Sequence, residues 1–321
     1  MQKIILFFIL IFITVSVKAQ TEKTENNIVA QKFETFYNAE KFDSIFEMFS
    51  FEMRKYLPKE KANEFFNNTQ QQVGKIVTRE FINQKLAVSK YKTTFEHATL
   101  TLIISVDSTP KITGFLIKEF TDTSLPKITR NTTKLKLPFN GEWIVVWGGD
   151  TKELNYHVES NAQKNAFDIL IFGENGKSYK NDGTANEDYY AFGKEITAPC
   201  DGEVVISLDD MINNKPTYME TKRAEGNNVV IKTDAGEFLL FAHFKQNSIK
   251  VKQGQHVKQG EVLGLCGNSG HSSEPHLHFH IQNAKQRDGA TGVKCYFDKI
   301  IVNGQLKKDY SPIRFERIKN E

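Results

Sequence analysis

Apolar residues in the first part of the chain change their spacing once. Between residues 27 and 68 they recur every three or four positions, as at Phe33 and Tyr37, which predicts amphipathic helices. Between residues 75 and 120 short β-rich runs replace this pattern, which is typical of strands. Helices followed by an antiparallel sheet predict an α+β domain over residues 20–120.

The rest of the chain has a β pattern almost throughout. Residues 121–142 are rich in Thr, Lys, Asn and Pro and are predicted to be a linker. After them, Asp201-Gly202 lies between β-rich runs, which is a strong hairpin signal. Gly254 and Gly260 punctuate a repeated hexad in the way that small barrels turn their corners. Residues 143–321 are predicted to form an all-β domain, a small antiparallel barrel or sandwich.

The first residues have the pattern of a signal peptide. Lys3 supplies a basic start, the apolar run from Ile4 to Val17 is too short for a stable membrane span, and Ala19 is a small residue of the kind that signal peptidase prefers. We expect residues 1–19 to be removed, and no Cys follows to carry a lipid anchor. The mature protein is predicted to be exported to a periplasm, the cell envelope or the extracellular space, without a stable membrane span.

Composition and charge narrow the class of protein further. A net charge of +3 over 321 residues is too small to argue for nucleic-acid binding. The three cysteines, Cys200, Cys266 and Cys295, allow at most one intramolecular disulfide, and its pairing is left open. None of them has the Cys-x-x-Cys spacing of a structural zinc site, so they are predicted to be small buried residues.

Three histidines alternate with apolar residues near the end of the chain. They are His276, His278 and His280, and they follow Pro275. In a strand they project from one face, with neighbours roughly 6.5 to 7 Å apart. One of them can therefore hold a metal ion while the next reaches a water molecule on that metal. This arrangement is typical of metal-dependent hydrolases.

Two further residues stand out in apolar runs. Asp168 lies within the run 166–172, and burying a lone carboxylate costs several kcal/mol unless it is paired, hydrogen-bonded or metal-bound. A structural hydrogen bond or ion pair would satisfy it. However, seven of the eight histidines lie between His157 and His280, which favours a shared metal ion. His243 ends another apolar run, and from the residues alone it is most simply a buried, hydrogen-bonded histidine.

The Gly- and Ser-rich turn before Pro275, followed by His-Leu-His-Phe at 276–279, resembles the signature of the lysostaphin/LytM-type zinc endopeptidases. The resemblance extends over about residues 143–297. It implies that His278 is a zinc ligand, together with a His and an Asp that the family places in a His-x-x-x-Asp motif. This sequence departs from that motif, because its best candidates, His157 and Asp168, are separated by 168 − 157 = 11 positions.

A long loop offers a rival for the carboxylate ligand. Residues 173–192 are rich in Gly, Asn and Asp and contain Asp188, and such loops commonly line a cleft. The expected centre is one Zn²⁺ per chain, held by His157, Asp168 and His278, with Asp188 as the alternative to Asp168. Three protein ligands leave the open position that catalytic zinc requires.

The resemblance also implies roles for the remaining histidines. His276 and His243 are expected to be catalytic, orienting the water, moving a proton and stabilising the oxyanion. His280 is expected to hydrogen-bond a ligand. The implied function is a zinc metalloendopeptidase acting on peptides of bacterial peptidoglycan, in its cross-links or stem peptides.

Two other functions are open. Some members of this family have lost ligands and instead bind the cell wall or regulate amidases. Biotinyl or lipoyl carrier domains have similar hairpins, but they need a Lys at the hairpin tip, where this chain has Cys200-Asp201-Gly202. The N-terminal domain weakly resembles nuclear-transport-factor-two-like or cystatin-like domains and shows no catalytic constellation. We expect it to pack, to bind a protein partner or to restrain access to the active site.

Overall fold

The computed structural model describes residues 21–220 and 223–321. The predicted signal peptide, residues 1–19, lies outside the described residues. The described part of the chain begins with helices and continues mainly in strands. The helices are α1 (Thr24–Asn38), α2 (Phe42–Glu47), α3 (Phe51–Tyr56) and α4 (Lys59–Val73).

The N-terminal strands form an antiparallel sheet that runs in chain order. The strands are β1 (Ile76–Lys85), β2 (Val88–Phe95), β3 (Thr99–Val106) and β4 (Ile112–Glu119). The helices cover this sheet through aromatic side chains: the ring of Phe66 stacks on that of Phe115 at 5.2 Å and meets the edge of Phe33 at 5.7 Å. The apolar period of the sequence thus corresponds to one buried helix face, and the α+β prediction is confirmed.

The C-terminal domain is all-β apart from two short 3-10 turns, as far as the described residues go. Its strands are β5 (Trp143–Trp147), β6 (Phe167–Leu170), β7 (Glu195–Thr197), β8 (Gly202–Leu208), β9 (Asn228–Lys232), β10 (Phe238–Ala242), β11 (His256–Val257), β12 (Val262–Leu265), β13 (Leu277–Gln282), β14 (Gly292–Val293), β15 (Phe297–Val302), β16 (Gln305–Tyr310) and β17 (Arg317–Asn320).

Most of these strands belong to one large antiparallel sheet. Among the described residues its order is β11-β8-β9-β10-β13-β6-β5-β17-β15-β16, with β14 paired to β13, while β7 and β12 pair with each other. The prediction of an antiparallel β domain is confirmed. Strand β13, which carries the histidines, lies at the centre of this sheet.

Alternation along the central strands separates an apolar core from a polar face. In β13, Leu277, Phe279 and Ile281 point into the main core. The residues between them lie on the other face, and there His278 pairs with Ala242 of β10 on one side and with Asp168 of β6 on the other. The period-2 pattern therefore brings a carboxylate and a histidine from distant parts of the chain into register.

The segment predicted as a linker is partly packed into the C-terminal domain. Leu135, Leu137 and Phe139 are buried in its core, and the ring of Phe139 stacks on Trp143 at 4.8 Å. The apolar residues of this segment are therefore structural, although its overall composition is polar. The domain boundaries remain a prediction.

The three cysteines are free and buried, as small apolar side chains would be. Among the described residues, no helix has both the length and the hydropathy needed to cross a membrane.

Candidate metal centre and active site

Three side chains that lie far apart in the sequence meet on the polar face of the large sheet. His157 lies in a 3-10 turn, Tyr156–Glu159, while Asp168 is on β6 and His278 is on β13. All three are buried, and one candidate ligand atom from each lies within 4.8 Å of the other two. Asp168 Oδ1 is 2.8 Å from Nδ1 of His278, and Asp168 Oδ2 is 3.5 Å from Nε2 of His157. The long spacing between His157 and Asp168 therefore does not separate their side chains.

The tautomer of His157 is set by Asn155. The side-chain nitrogen of Asn155 donates to the carbonyl oxygens of Gly149 and Ala166 at 3.1 and 3.0 Å. The amide oxygen of Asn155 must then be the acceptor that lies 2.8 Å from Nδ1 of His157. Nδ1 therefore carries the proton, and the lone pair of Nε2 faces Asp168.

A second chain of hydrogen bonds sets the tautomer of His278. The side-chain nitrogen of Gln282 donates to Ala284 O at 2.8 Å, so its oxygen accepts from Nε2 of His280 at 3.0 Å. Nδ1 of His280 is then an acceptor, and it lies 3.0 Å from Nε2 of His278. This leaves Nδ1 of His278 as an unprotonated nitrogen that points at a carboxylate oxygen.

Two further imidazoles border the same space. Nδ1 of His243 donates to Ser269 O at 2.7 Å, and Nδ1 of His276 donates to Glu274 O at 2.8 Å. Their Nε2 atoms are therefore free to accept protons. Nε2 of His276 is 3.6 Å from Asp168 Oδ1, and the ring centroids of His243 and His276 are 4.7 Å apart.

His243 has an unusual backbone conformation. Its φ is 65°, in the left-handed region that few residues other than Gly adopt. Its backbone N–H is held by Glu225 O at 3.0 Å. The carbonyl of Ser269 accepts from the ring of His243 and so orients it. This carbonyl is held in place because the next residue, Gly270, packs so closely on Gly226 that a Cβ on Gly270 would overlap the backbone of Gly226. The strained conformation of His243 is of a kind commonly found at functional sites. The close packing of Gly270 explains why a glycine is needed in the turn before the histidine strand.

Burial and charge set opposite protonation tendencies in the site. Burial lowers the pKa of His157 to about 4 despite the nearby Asp168, so this ring is neutral at pH 7. Burial alone would raise the pKa of Asp168, but the imidazoles that surround it, His157 and His276 above all, outweigh burial and hold the pKa well below its usual value. The carboxylate is therefore ionised and the ligand nitrogens carry lone pairs, which is the state a metal ion requires.

The lone pairs that meet between these side chains favour a cation at this position. With the tautomers assigned as above, His278 Nδ1 and Asp168 Oδ1 are two acceptors only 2.8 Å apart, a repulsive pair unless a proton or a cation lies between them. Two imidazole nitrogens and one carboxylate oxygen are ligands that Zn²⁺ accepts. The outer nitrogens of both histidines are fixed by hydrogen bonds, as is usual for metal ligands.

The other predicted residues occupy different positions. Asp188 is not part of the group: its carboxylate accepts from Ala185 N at 3.3 Å and from the Asn181 side chain at 2.7 Å, within its own loop. His280 is fully buried behind His278, where it makes the contact expected of a residue that supports a ligand.

Sequence reasoning missed several supporting groups. Gln282 continues the period of two set by His276, His278 and His280, and that pattern could have revealed it. Asn155 and Tyr156, whose hydroxyl donates to Asp168 Oδ2 at 3.3 Å, have no such signal, because their positions depend on the path of a loop.

Two family descriptions match this chain. Residues 186–289 match Peptidase family M23. This segment includes His243, His276, His278 and His280, whereas His157 and Asp168 precede it, as expected from their unusual spacing. Residues 30–115 match a protein family of unknown function, DUF3887, which names no activity for the N-terminal domain. Its expected likeness to nuclear-transport-factor-two-like domains remains a prediction.

Similar proteins share only part of their length with this chain. Cell division protein DipM of Caulobacter vibrioides is 34% identical over 120 residues, which are 36% of this chain and 17% of that protein. DD-carboxypeptidase/endopeptidase Mpg of Neisseria meningitidis serogroup B is 36% identical over 87 residues, 27% of this chain and 19% of that protein. The match thus spans less than a fifth of either relative.

Among solved structures, the catalytic domain of lysostaphin from Staphylococcus simulans is 23% identical, with 36% of this chain and 81% of that chain covered and a TM-score of 0.25. The two family matches fall on separate parts of the molecule: residues 30–115 match DUF3887, and residues 186–289 match Peptidase family M23.

Proposed function

We propose that this chain is an exported zinc metalloendopeptidase that hydrolyses peptide bonds in the cross-links or stem peptides of bacterial peptidoglycan. One observation carries the proposal: the hydrogen-bond networks leave unprotonated nitrogens of His157, His276 and His278 directed at Asp168, with His243 beside them. A group of acceptors of this kind is stable when it surrounds a cation and the water that a hydrolase activates.

His157, Asp168 and His278 would hold the zinc ion. With three protein ligands, a position stays open for water or substrate, whereas a structural zinc site is closed by four. Zinc held there supplies a Lewis acid that polarises the scissile carbonyl and makes water more acidic. The supporting hydrogen bonds from Asn155 and His280 keep the two ligand rings oriented.

His276 and His243 would handle protons. Each ring is anchored through Nδ1, so each offers Nε2 to the reacting groups. Burial lowers the pKa of His243 well below its ordinary value, and the neighbouring His276 and His278 add to this effect, so His243 is neutral at pH 7. For His276, burial acts in the same direction, but the charge of Asp168 and its hydrogen bond outweigh it and raise the pKa.

The lowered pKa of His243 and the raised pKa of His276 suit the two rings to different roles. A pair of groups whose environments move their pKa values apart is suited to act as acid and base. His276 would take a proton from the attacking water and return it to the leaving amine, while the unprotonated Nε2 of neutral His243 accepts a hydrogen bond from that water. A cation on Asp168 weakens the stabilisation of protonated His276, which favours its action as the initial base.

Substrate and location rest on similarity and on the leader sequence. One relative is named a DD-carboxypeptidase/endopeptidase and another a cell division protein, and the match of residues 186–289 to Peptidase family M23 supports a peptidase. A signal peptide at residues 1–19 would deliver the enzyme to the cell envelope, where this substrate lies.

The first test is the metal content of the mature chain, residues 20–321, purified without added zinc. About one zinc per chain is expected, with loss in His278→Ala and retention in His256→Ala, an exposed histidine on β11. Purified peptidoglycan should then release peptide ends in a reaction that a chelator stops and zinc restores.

A wild-type site that stays empty when zinc is supplied would instead favour a cell-wall-binding or amidase-regulating module. Covalent biotin or lipoate, visible in the intact mass, would favour a carrier.

A further inference from the structure

The loop that carries His157 is tied to the N-terminal domain by one carboxylate. Glu119, the last residue of β4, accepts a hydrogen bond from Asn161 N at 2.7 Å through Oε2. Its Oε1 accepts from Ser160 Oγ at 3.0 Å and from Ala162 N at 3.4 Å. Three consecutive residues of the peptidase domain thus donate to a side chain of the other domain.

This loop continues directly from the turn that carries the candidate ligand. Ser160 N donates to His157 O at 3.0 Å, so Ser160 closes the 3-10 turn. On the opposite side, Gly292 N of β14 donates to Asn161 O at 2.7 Å. The loop is therefore held between Glu119 and the large sheet, and displacement of Ser160 would move His157.

A second contact fixes the orientation of the N-terminal domain. Thr99 N, at the start of β3, donates to the carboxylate of Asp288 at 2.9 Å. Asp122 N, just after β4, donates to Gly289 O at 2.9 Å. The N-terminal domain thus contacts the loop after His157 and also the connection that follows β13, the strand that carries His278.

We propose that Glu119 is a positioning residue for the metal centre, so that the N-terminal domain completes the site. This inference rests on the proposed zinc site. In a His-x-x-x-Asp motif, a short connection limits where the histidine can lie relative to the Asp. Here 11 positions separate His157 from Asp168. The longer loop between them needs a contact from outside the loop to hold His157 in place.

This contact through Glu119 couples domain docking to metal affinity. If the docked N-terminal domain raises the affinity for zinc by some factor, bound zinc must favour docking by the same factor. A partner that pulled the N-terminal domain away would therefore release the metal and switch the enzyme off. This gives the N-terminal domain a regulatory function without any catalytic residue of its own.

The test compares Glu119→Gln with Glu80→Gln in the full mature chain. Gln keeps the shape of Glu119, but its NH2 group cannot accept the N–H of Asn161. Glu80 is the matched control, because it lies in the same domain and its ion pair with Lys92, at 3.9 Å, is exposed. The measurements are zinc affinity, by competition with a chromogenic chelator, and unfolding of the metal-free protein by denaturant.

Glu119→Gln should weaken zinc binding by about tenfold or more, while Glu80→Gln leaves it at the wild-type value. Ser160→Ala, which removes one donor, should cause a smaller loss, and the double variant should lose less than the sum of the two because both remove one contact. Ser160→Ala also serves as the test should Glu119→Gln fail to fold.

Unchanged zinc affinity in Glu119→Gln and Ser160→Ala, with a wild-type site that fills, overturns this inference alone. Equal losses in Glu119→Gln and Glu80→Gln also overturn it. A wild-type chain that binds no zinc refutes the proposed function and this inference together.

Discussion

His280 holds its Nδ1 3.0 Å from Nε2 of His278, in a hydrogen bond buried beneath the candidate metal centre. On its other side it donates to Gln282 Oε1 at 3.0 Å. Burial, with the neighbouring His278, keeps the pKa of His280 well below its ordinary value, so the ring is neutral and presents one acceptor to His278. This contact selects the tautomer of His278 that leaves Nδ1 available to a metal ion.

Replacing His280 should therefore weaken metal binding without removing a ligand. His280→Phe fills a similar volume but leaves the Nε2–H of His278 without an acceptor, at a buried position. We expect zinc affinity to fall by about 10- to 100-fold, measured by chelator competition. His256→Phe, on an exposed strand end, should bind zinc as the wild type does. Equal affinity in His280→Phe and wild type would show that His280 does not set the tautomer.

Substituting the two histidines of the His-Leu-His sequence one at a time should separate metal binding from catalysis. Nδ1 of His278 is 2.8 Å from the Asp168 carboxylate, while Nε2 of His276 is 3.6 Å away. His278→Ala should lose both zinc and peptide hydrolysis. His276→Ala should keep most of its zinc and lose activity by about 100-fold or more, as expected for a general base. Elemental analysis and hydrolysis of peptidoglycan fragments decide this, and zinc loss in His276→Ala alone would reverse the two roles.

The three cysteines should be unreactive in the folded protein. Thiolate is the reactive form, and burial raises the pKa of Cys200 from 9.0 to about 12, which lowers the thiolate fraction at pH 8 by about a thousandfold. A thiol reagent should therefore label no cysteine in the native protein and three after unfolding without reductant. Ser108→Cys, at an exposed turn, is the positive control. Only one thiol after unfolding would indicate a disulfide, contrary to the three free thiols of the structure.

The fold followed from the sequence where one periodicity extended over a whole element. The three- and four-residue period gave the N-terminal helices, and the alternation around His278 gave the central strand with its polar face. The composition of residues 121–142 was less informative, because three apolar residues, Leu135, Leu137 and Phe139, are buried in the core within an otherwise polar stretch. Local composition does not report which few side chains find a distant core.

Much of the candidate site could be identified from residue type, because a carboxylate in an apolar run and alternating histidines are rarely without partners. The contacts that support the site could not be identified in this way. Asn155 acts through carbonyls of Gly149 and Ala166, and Glu119 reaches a loop about 40 residues away in sequence. Such contacts depend on loop paths and domain docking, and neither has a periodic signal in the chain.

Asp168 and its sequence rival Asp188 can be distinguished by one matched pair of substitutions. Asp168→Asn keeps the size of the side chain but removes the charge beside the nitrogens of His157, His276 and His278. A neutral amide oxygen is a much weaker ligand for zinc than a carboxylate, so zinc should be lost and hydrolysis with it. Circular dichroism should show that the variant remains folded.

Asp188→Asn should have a different effect. The carboxylate of Asp188 accepts hydrogen bonds within its own loop, from Ala185 N and the Asn181 side chain, and Asn can still cap such a turn. We expect zinc to remain bound and the free energy of unfolding to fall by about 1 kcal/mol, measured by denaturant titration. Zinc loss in Asp188→Asn with retention in Asp168→Asn would make the long loop the source of the ligand, and the 11-residue separation of His157 and Asp168 would then be a structural pairing only. Loss in Asp168→Asn alone would establish that the chain brings its first two ligands together across that separation.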